Sequence, residues 1–272
     1  MRILSLETAT HFGGVACIGP AGERSAGPWA SRASSREVLA AAERLLAECG
    51  ATAETLDLVA VSTGPGLFTG VRVGLSIAKT LVWAQGPGGP TRLVAVPTLD
   101  AVAALAMGQA GVRPGDLITA ITDARRGEVY AAVFVVADGA DELDRTDRAC
   151  GTDATHESDD PHAAAATPAG PVRFTEDLVE RPGEAIRLLL AEAAFAPDRP
   201  VHLIGDGAER YAEALAEALG DRARPCDHHA GNLPLVVARL GLARAQRGGA
   251  APPEAVHPHY VRRPDAVPPT IE

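Results

Sequence analysis

A chain of 272 residues with 46% hydrophobic and 22% charged side chains has the size and composition of a globular protein, which excludes a disordered or fibrous class. Its formal net charge of −10 argues against a protein that grips nucleic acid unaided, because phosphate binding rests on Lys and Arg. Four cysteines, Cys17, Cys49, Cys150 and Cys226, stand far apart without a Cys-x-x-Cys pair, a spacing that fits neither a zinc site nor a disulfide framework.

The N-terminus starts on a strand-like run with no apolar signal segment behind it, and no apolar run approaches the ~20 residues of a membrane span. A cytoplasmic location is therefore expected. Residues 1–30 read as a three-strand meander: Ile3–Leu6, then Val15–Ile18 after Gly13-Gly14, then a run from Gly19-Pro20-Ala21-Gly22 to about Ala30. Ser34 and Glu37 form a capping box for a helix over about 34–49, with Val38, Ala42, Leu45, Leu46 and Cys49 at helical spacing and Gly50 past its end.

Leu58–Ser62 is a buried strand and Thr63-Gly64-Pro65-Gly66 the break after it. A second helix runs from about Gly70 to Trp83, a strand covers Leu93–Val96, and Pro97-Thr98 opens a helix to near Met107. Leu117–Thr122 and Glu128–Val136 make a hairpin around Asp123-Ala124-Arg125-Arg126-Gly127. Nine acids between Asp138 and Asp160, against Arg145 and Arg148, mark 138–172 as a long acidic loop. Regular pattern returns with a helix near Gly183–Ala194, strand Val201–Ile204, a turn at Gly205-Asp206-Gly207 and a helix through Leu219. A last helix, Leu233–Arg247, precedes a proline-rich tail. Strand and helix alternating after a meander predict an α/β layer fold.

The run Thr63–Leu75 is the strongest local feature. Its glycine spacing excludes a Walker A loop, leaving either a rigid turn with Thr69 capping the helix or a turn whose backbone N–H groups face an anion. In the helix that follows, Gly74 and Ala78 form a shallow face, and Arg72, Ser76 and Lys79 are almost its only polar groups. Such a helix needs its own sheet on one side and another helix or another chain on the rest.

Ser76 lies in a loosened version of a nucleophile elbow, but inside the helix rather than on a strand-to-helix turn, and reads as a core-helix serine. None of the histidines shows i, i+4 spacing on a predicted helix, so no metal site is expected. Glu7-Thr8-Ala9-Thr10 and Gly205-Asp206-Gly207-Ala208 sit where sugar-kinase and actin-type folds place phosphate and adenosine turns, with ordinary turns as the alternative.

Four stretches together resemble the bacterial TsaB (YeaZ) family. They are Ile3–Thr10, where the family usually has Asp-Thr-Ser; Gly64–Leu75 followed by Ala78-Lys79, the most specific; Asp123–Tyr130; and Val256–Arg262, similar to a Pro-x-Tyr-Leu-Arg ending. Gly205–Ala208 with Tyr211 also fits. The resemblance implies an actin-like ATPase (ASKHA) fold of two lobes, each a mixed sheet with flanking helices. Residues 1–102, completed by a helix over 232–248, would form the first lobe and 103–227 the second, followed by a proline-rich tail over 249–272.

It further implies a non-catalytic partner of a TsaD-like protein, joined by a TsaE-like ATPase, for threonylcarbamoyl transfer to a tRNA adenosine. Such a chain would dimerise with itself when alone, touch tRNA only indirectly and avoid membranes. It would hold no firmly bound cofactor, with ATP or ADP and the metal in the partner. Pairing in the family uses the first two helices, which makes Val38, Leu39, Ala42, Leu45, Val71, Gly74, Leu75, Ala78, Lys79 and Val82 the expected partner-facing residues. Gly64, Pro65, Gly66, Phe68, Thr69, Gly70 and Arg72 are the motif turn.

Two features depart from the family pattern. Glu7 stands for the usual Asp, and Ala33-Ser34-Ser35 stands where the family often has a histidine. The catalytic sister's His-x-x-x-His pair is also absent. A glycopeptidase-like hydrolase or nucleotide-dependent enzyme of the same fold is the alternative, and it requires a nucleophile, base or metal in one cleft. For tRNA contact, only Arg125-Arg126 and Arg262-Arg263 offer local positive charge.

Overall fold

The computed structural model describes residues 1–28, 35–86, 88–137, 170–192 and 199–262. The meander, β1 (Ile3–Glu7), β2 (Gly14–Gly19) and β3 (Gly22–Ala26), is followed by α1 (Ser35–Glu48), β4 (Leu58–Ser62), α2 (Phe68–Trp83) and β5 (Arg92–Val96). These strands form one sheet in the order β3-β2-β1-β4-β5. Its meander is antiparallel, while β4 runs parallel to both β1 and β5.

α3 (Thr98–Ala104) leads into the hairpin β6 (Leu117–Arg125) and β7 (Glu128–Val136). Then come β8 (Pro171–Arg173), β9 (Leu178–Glu180), α4 (Pro182–Glu192), β10 (Val201–Ile204), α5 (Asp206–Arg210), α6 (Ala212–Leu219), β11 (Ala223–Pro225) and α7 (Leu233–Gln246). The second sheet has the order β11-β10-β6-β7-β8, with β9 also paired to β7.

The apolar residues divide into layers. α1 and α2 cover the outer face of the first sheet through Val38, Leu45, Val71, Leu75 and Ala78. α3 and α7 fill the space between the sheets with Leu99, Val102, Leu233 and Val237 against Ala60, Val96, Ile118 and Ala132. α4 and α6 close the far face through Ile186, Leu189, Leu215 and Leu219. Two mixed sheets with helices between and outside them are the actin-like arrangement that the resemblance implies.

The last helix belongs with the first sheet although 229 positions separate Ser5 from Pro234. The buried Ser5 hydroxyl donates to the Pro234 carbonyl at 2.7 Å, and the Asn232 side chain caps the helix by accepting from Leu235 N–H. Past α7 the chain turns back as a strap. Ala251 bridges to Leu93 beside β5, His259 N–H donates to the Thr63 carbonyl at 2.7 Å, and Arg262 pairs with Glu128 of the second sheet.

The principal differences from the sequence reading lie in the short elements. The expected Gly205-Asp206-Gly207 turn is the start of α5, with Gly205 at a φ of 114° before it. Thr69 does not cap α2: the helix begins at Phe68 with Leu67 at its cap, so Thr69 lies inside the first turn. Strands β9 and β11 have three residues each, too few for a period to register. Ser34 and positions 138–169 of the acidic loop lie outside the described residues; the end of that loop, Pro171–Arg173, is β8.

One ion cluster ties the layers together. Asp100, on α3, accepts from Arg173 of β8 at 2.9 Å and from Arg244 of α7. Arg173 also reaches Asp177, which in turn pairs with His259 of the strap at 3.0 Å. Burial pushes the Asp177 carboxyl up, but its bonds to His259 and Arg173 outweigh that and leave it below the usual carboxylate range. The bond to Asp177 raises His259. Asp100→Asn would leave the half-exposed Arg244 without its counter-charge and Arg173 with Asp177 alone. The expected loss is about 1–2 kcal/mol of stability, read as a lower urea midpoint at unchanged slope. An unchanged midpoint would show that solvent screens the cluster.

Candidate functional site

The glycine-rich run is consumed by the chain itself. Gly64 adopts a φ of 105°, where a side chain would also press on the His259 carbonyl at 2.6 Å. Its N–H accepts no ligand role, since it donates to the Thr98 hydroxyl at 3.1 Å. Leu67 N–H donates to the Ala9 carbonyl and the Thr8 hydroxyl to the Gly70 carbonyl, both at 2.7 Å. One turn of helix further on, a Cβ at Gly74 would overlap that same Thr8 hydroxyl. The run is a rigid turn seated on the turn after β1.

This geometry moves most of the expected partner-facing residues inward. Val38, Ala42 and Leu45 of α1, with Val71, Gly74, Leu75 and Ala78 of α2, are buried in the chain's own core. The reason is the shallow Gly74–Ala78 face, which lets α2 lie close on Thr8 and Val61 instead of admitting another molecule. Leu39 is 46% exposed, and Lys79 and Val82 are half-buried. α2 is also less uniformly apolar in space than in composition: Phe68, Arg72, Ser76 and Trp83 share one outward stripe.

That stripe has a defined end. The Arg72 guanidinium lies 3.8 Å from the centroid of the Phe68 ring, and its Nε donates to the Tyr260 hydroxyl at 2.8 Å. Tyr260 faces Phe68 with centroids 5.5 Å apart. Phe68 and Trp83 are each 56% exposed. Sequence reading placed Phe68 and Arg72 in the motif turn but gave Tyr260 no role. The tail motif held the signal, since only a returning strap brings Tyr260 to α2.

A second constellation gathers at the carboxyl ends of β1, β6 and β10, where open α/β sheets place ligands. Glu7 is wholly buried and folds back on its own turn, accepting from Ala9 N–H at 3.0 Å and from the Thr10 hydroxyl at 2.7 Å. The carboxylate thus takes the Ala9 donor that an anion at this turn would need. Burial raises Glu7 to about 7 in spite of those bonds.

Asp123 accepts from Arg125 N–H at 2.9 Å and the Tyr211 hydroxyl at 3.2 Å, with the Arg125 and Arg210 guanidinium groups each 3.6 Å away. Arg125 also reaches His11, joining the hairpin to the β1–β2 loop. Asp206 accepts from Asp123 N–H at 3.1 Å; burial raises its carboxyl against that bond. On the far side His228 packs edge-on against Phe12, and Glu209 lies 3.8 Å from His228 and 3.9 Å from His229. In the sequence the histidine pair shows no helical spacing; the fold supplies Glu209 from another element.

A third alignment, Asp116–His202–Cys226, has the order of a nucleophilic triad without its chemistry. His202 meets Asp116 at 3.0 Å through Nε2, but Cys226 lies 3.8 Å from Nδ1 and burial raises its thiol. A catalytic thiol needs the opposite shift. Ser76 lies inside α2, as the sequence predicts, but on its exposed face and not in the core.

Comparison with known proteins adds family and fold. A family model described as TsaD, tRNA N6-adenosine threonylcarbamoyltransferase, matches residues 28–232. The TsaB protein of Bacillus subtilis is 35% identical over 105 residues, 39% of this chain and 42% of that protein. The TsaB protein of Escherichia coli is 31% identical over 134 residues, 49% of this chain and 55% of that one. The chain thus spans about half the length of these curated relatives. YeaZ from Pseudomonas aeruginosa superposes with a TM-score of 0.67 at 21% identity, covering 95% of this chain and 99% of that one, a likeness of fold.

The buried Glu7 yields a pH test. A carboxyl raised from 4.5 to about 7 favours the protonated folded chain, so its contribution is greatest below its unfolded value and is lost as pH climbs through 7. Glu7→Gln removes the ionisation. The variant should be more stable than the parent by about 2–3 kcal/mol near pH 8, with the gap closing towards about pH 5. Thermal melts across that range decide it, and a gap independent of pH would show that Glu7 stays ionised.

Proposed function

The chain belongs to the TsaD family that the matching model describes, with the TsaB (YeaZ) proteins, and on that premise we propose that it serves as the non-catalytic subunit in forming threonylcarbamoyladenosine on tRNA. It pairs with a TsaD-like protein, which holds ATP or ADP and the metal, while a TsaE-like ATPase joins the assembly. The chain is built as two lobes, 1–102 completed by the helix over 232–248, and 103–227, followed by the tail over 249–272, whose described part to Arg262 straps back across them. It works in the cytoplasm and meets tRNA only through its partner.

The observation that carries this reading is the outward stripe of α2. An arginine stacked on phenylalanine and bonded to tyrosine, with a tryptophan along the same helix, has the composition of an interface hot spot. Leu39 on the neighbouring α1 extends it. The buried face of α1 and α2 positions these residues, so Val38, Ala42, Leu45, Val71, Gly74, Leu75 and Ala78 act through the fold and not by touching the partner.

The non-catalytic part rests on the self-satisfied first turn. Glu7 occupies the donors of the phosphate-type turn, and the arginines beside Asp123 are engaged within the chain. Among the described residues, the one alignment resembling a nucleophilic triad has its thiol shifted the wrong way. A no-membrane assignment is compatible with the described helices, none of which is long and apolar enough to cross a bilayer.

The test is pairing in solution. A Phe68→Asp/Arg72→Glu chain should bind a TsaD-like protein at least about 30-fold more weakly than the parent, some 2 kcal/mol, while keeping its melting temperature. Leu188→Asp, an exposed position on α4 at the opposite side of the molecule, should bind as the parent does. Calorimetry supplies the affinities. Parent-like binding by the doubly substituted, folded chain would overturn the placement of the interface.

A further inference from the structure

The turn before α7 brings two imidazoles and a carboxylate together from separate elements. His228 and His229 come from that turn and Glu209 from α5, and one ligand atom of each lies within 4.8 Å of the others. The two rings stack with centroids 4.0 Å apart and a tilt of 37°. Glu209 Oε2 faces the Nε2 atoms of both, at 3.8 and 3.9 Å. Two adjacent histidines that face a carboxylate from another part of the chain are a different matter from a charge run on a surface.

The turn is held on both sides. Gln109 donates to the Asp227 carbonyl at 2.9 Å and accepts from Asp227 N–H at 3.1 Å. The Asp227 carboxylate in turn accepts from His229 N–H at 2.8 Å. Phe12 fixes the His228 ring from the other side, with centroids 4.6 Å apart. These contacts fix the backbone of the turn and the ring of His228.

We propose that Glu209, His228 and His229 bind one divalent transition-metal ion of the zinc class. Two imidazoles and one carboxylate are a borderline donor set that suits zinc, cobalt or copper, whereas magnesium and calcium call for oxygen ligands. Four-coordinate zinc with bonds of about 2.0–2.1 Å draws its donors to roughly 3.3 Å apart. The two Glu209–imidazole distances, 3.8 and 3.9 Å, exceed that by about half an ångström, and all three ligand atoms lie within 4.8 Å of one another. Glu209 and His229 are 71% and 62% exposed in their side chains, so rotation closes the gap without moving the backbone.

Three protein ligands leave a fourth position open to water or to an exchangeable group. Asp206 lies on the same side and contributes negative potential at His228. The chain's net charge of −10 favours a bound cation.

The experiment uses the full chain, stripped with a chelator and titrated with zinc chloride against a chromophoric zinc indicator. One zinc per chain with a dissociation constant below about 10 μM is expected. His229→Ala and Glu209→Gln change exposed positions and should each weaken binding about tenfold or more, with circular dichroism unchanged. Millimolar magnesium should not compete. Binding weaker than about 100 μM, or parent-like affinity in His229→Ala, would overturn the proposal. Pairing with a TsaD-like protein is measured separately in chelator, so loss of either property is distinguishable from loss of the other.

Discussion

The contact on which the first half of the molecule depends is that between two turns. The turn after β1 and the glycine-rich turn after β4 approach until Thr8 fills the space that side chains at Gly70 and Gly74 would need. That approach sets how closely α2 lies on its sheet, because Gly74 is one helical turn from Gly70 and meets the same hydroxyl. With α2 seated, its Val71, Leu75 and Ala78 are enclosed, and Phe68 and Arg72 are left outside for the returning tail to meet. A larger side chain in the turn would lift the helix and disturb the inner packing and the outer surface together.

A second constraint acts between the sheets. Glu7 is buried, and it bends back to bond its own turn. The side chain needs the space beside Gly13, since a Cβ there would overlap the Glu7 carboxylate. The donors at this turn are therefore committed within the chain. Asp123 is held by Arg125 N–H with the Arg125 and Arg210 guanidinium groups nearby, and Asp206 by Asp123 N–H. The Asp100 cluster completes the joint from the other end, linking α3, β8 and α7.

Much of this architecture is legible in the residues. The meander, β4, β5, the β6–β7 hairpin and the start of α7 all follow from period, glycine and proline punctuation and capping chemistry. Burial direction on α2 is harder to read. A helix rich in Val, Leu and Ile with small residues at Gly74 and Ala78 looks the same whether those residues face its own sheet or another chain. Only the position of Thr8 decides between them, and that is a tertiary fact. The Glu209–His228–His229 group was hidden for a related reason: helical spacing searches one element, whereas these three ligand atoms converge from two. Tyr260 is legible as part of a motif, but its place on Arg72 depends on the path of the strap.

The central claim is that this chain promotes tRNA modification without performing the chemistry. Formation of threonylcarbamoyladenosine by a TsaD-like protein and a TsaE-like ATPase, assayed by nucleoside mass spectrometry, tests it directly. The account predicts product only when this chain is added, none from the chain alone, and an equal yield with the Glu7→Gln chain. Equal yield without the chain, or product from the chain and substrates alone, would contradict it.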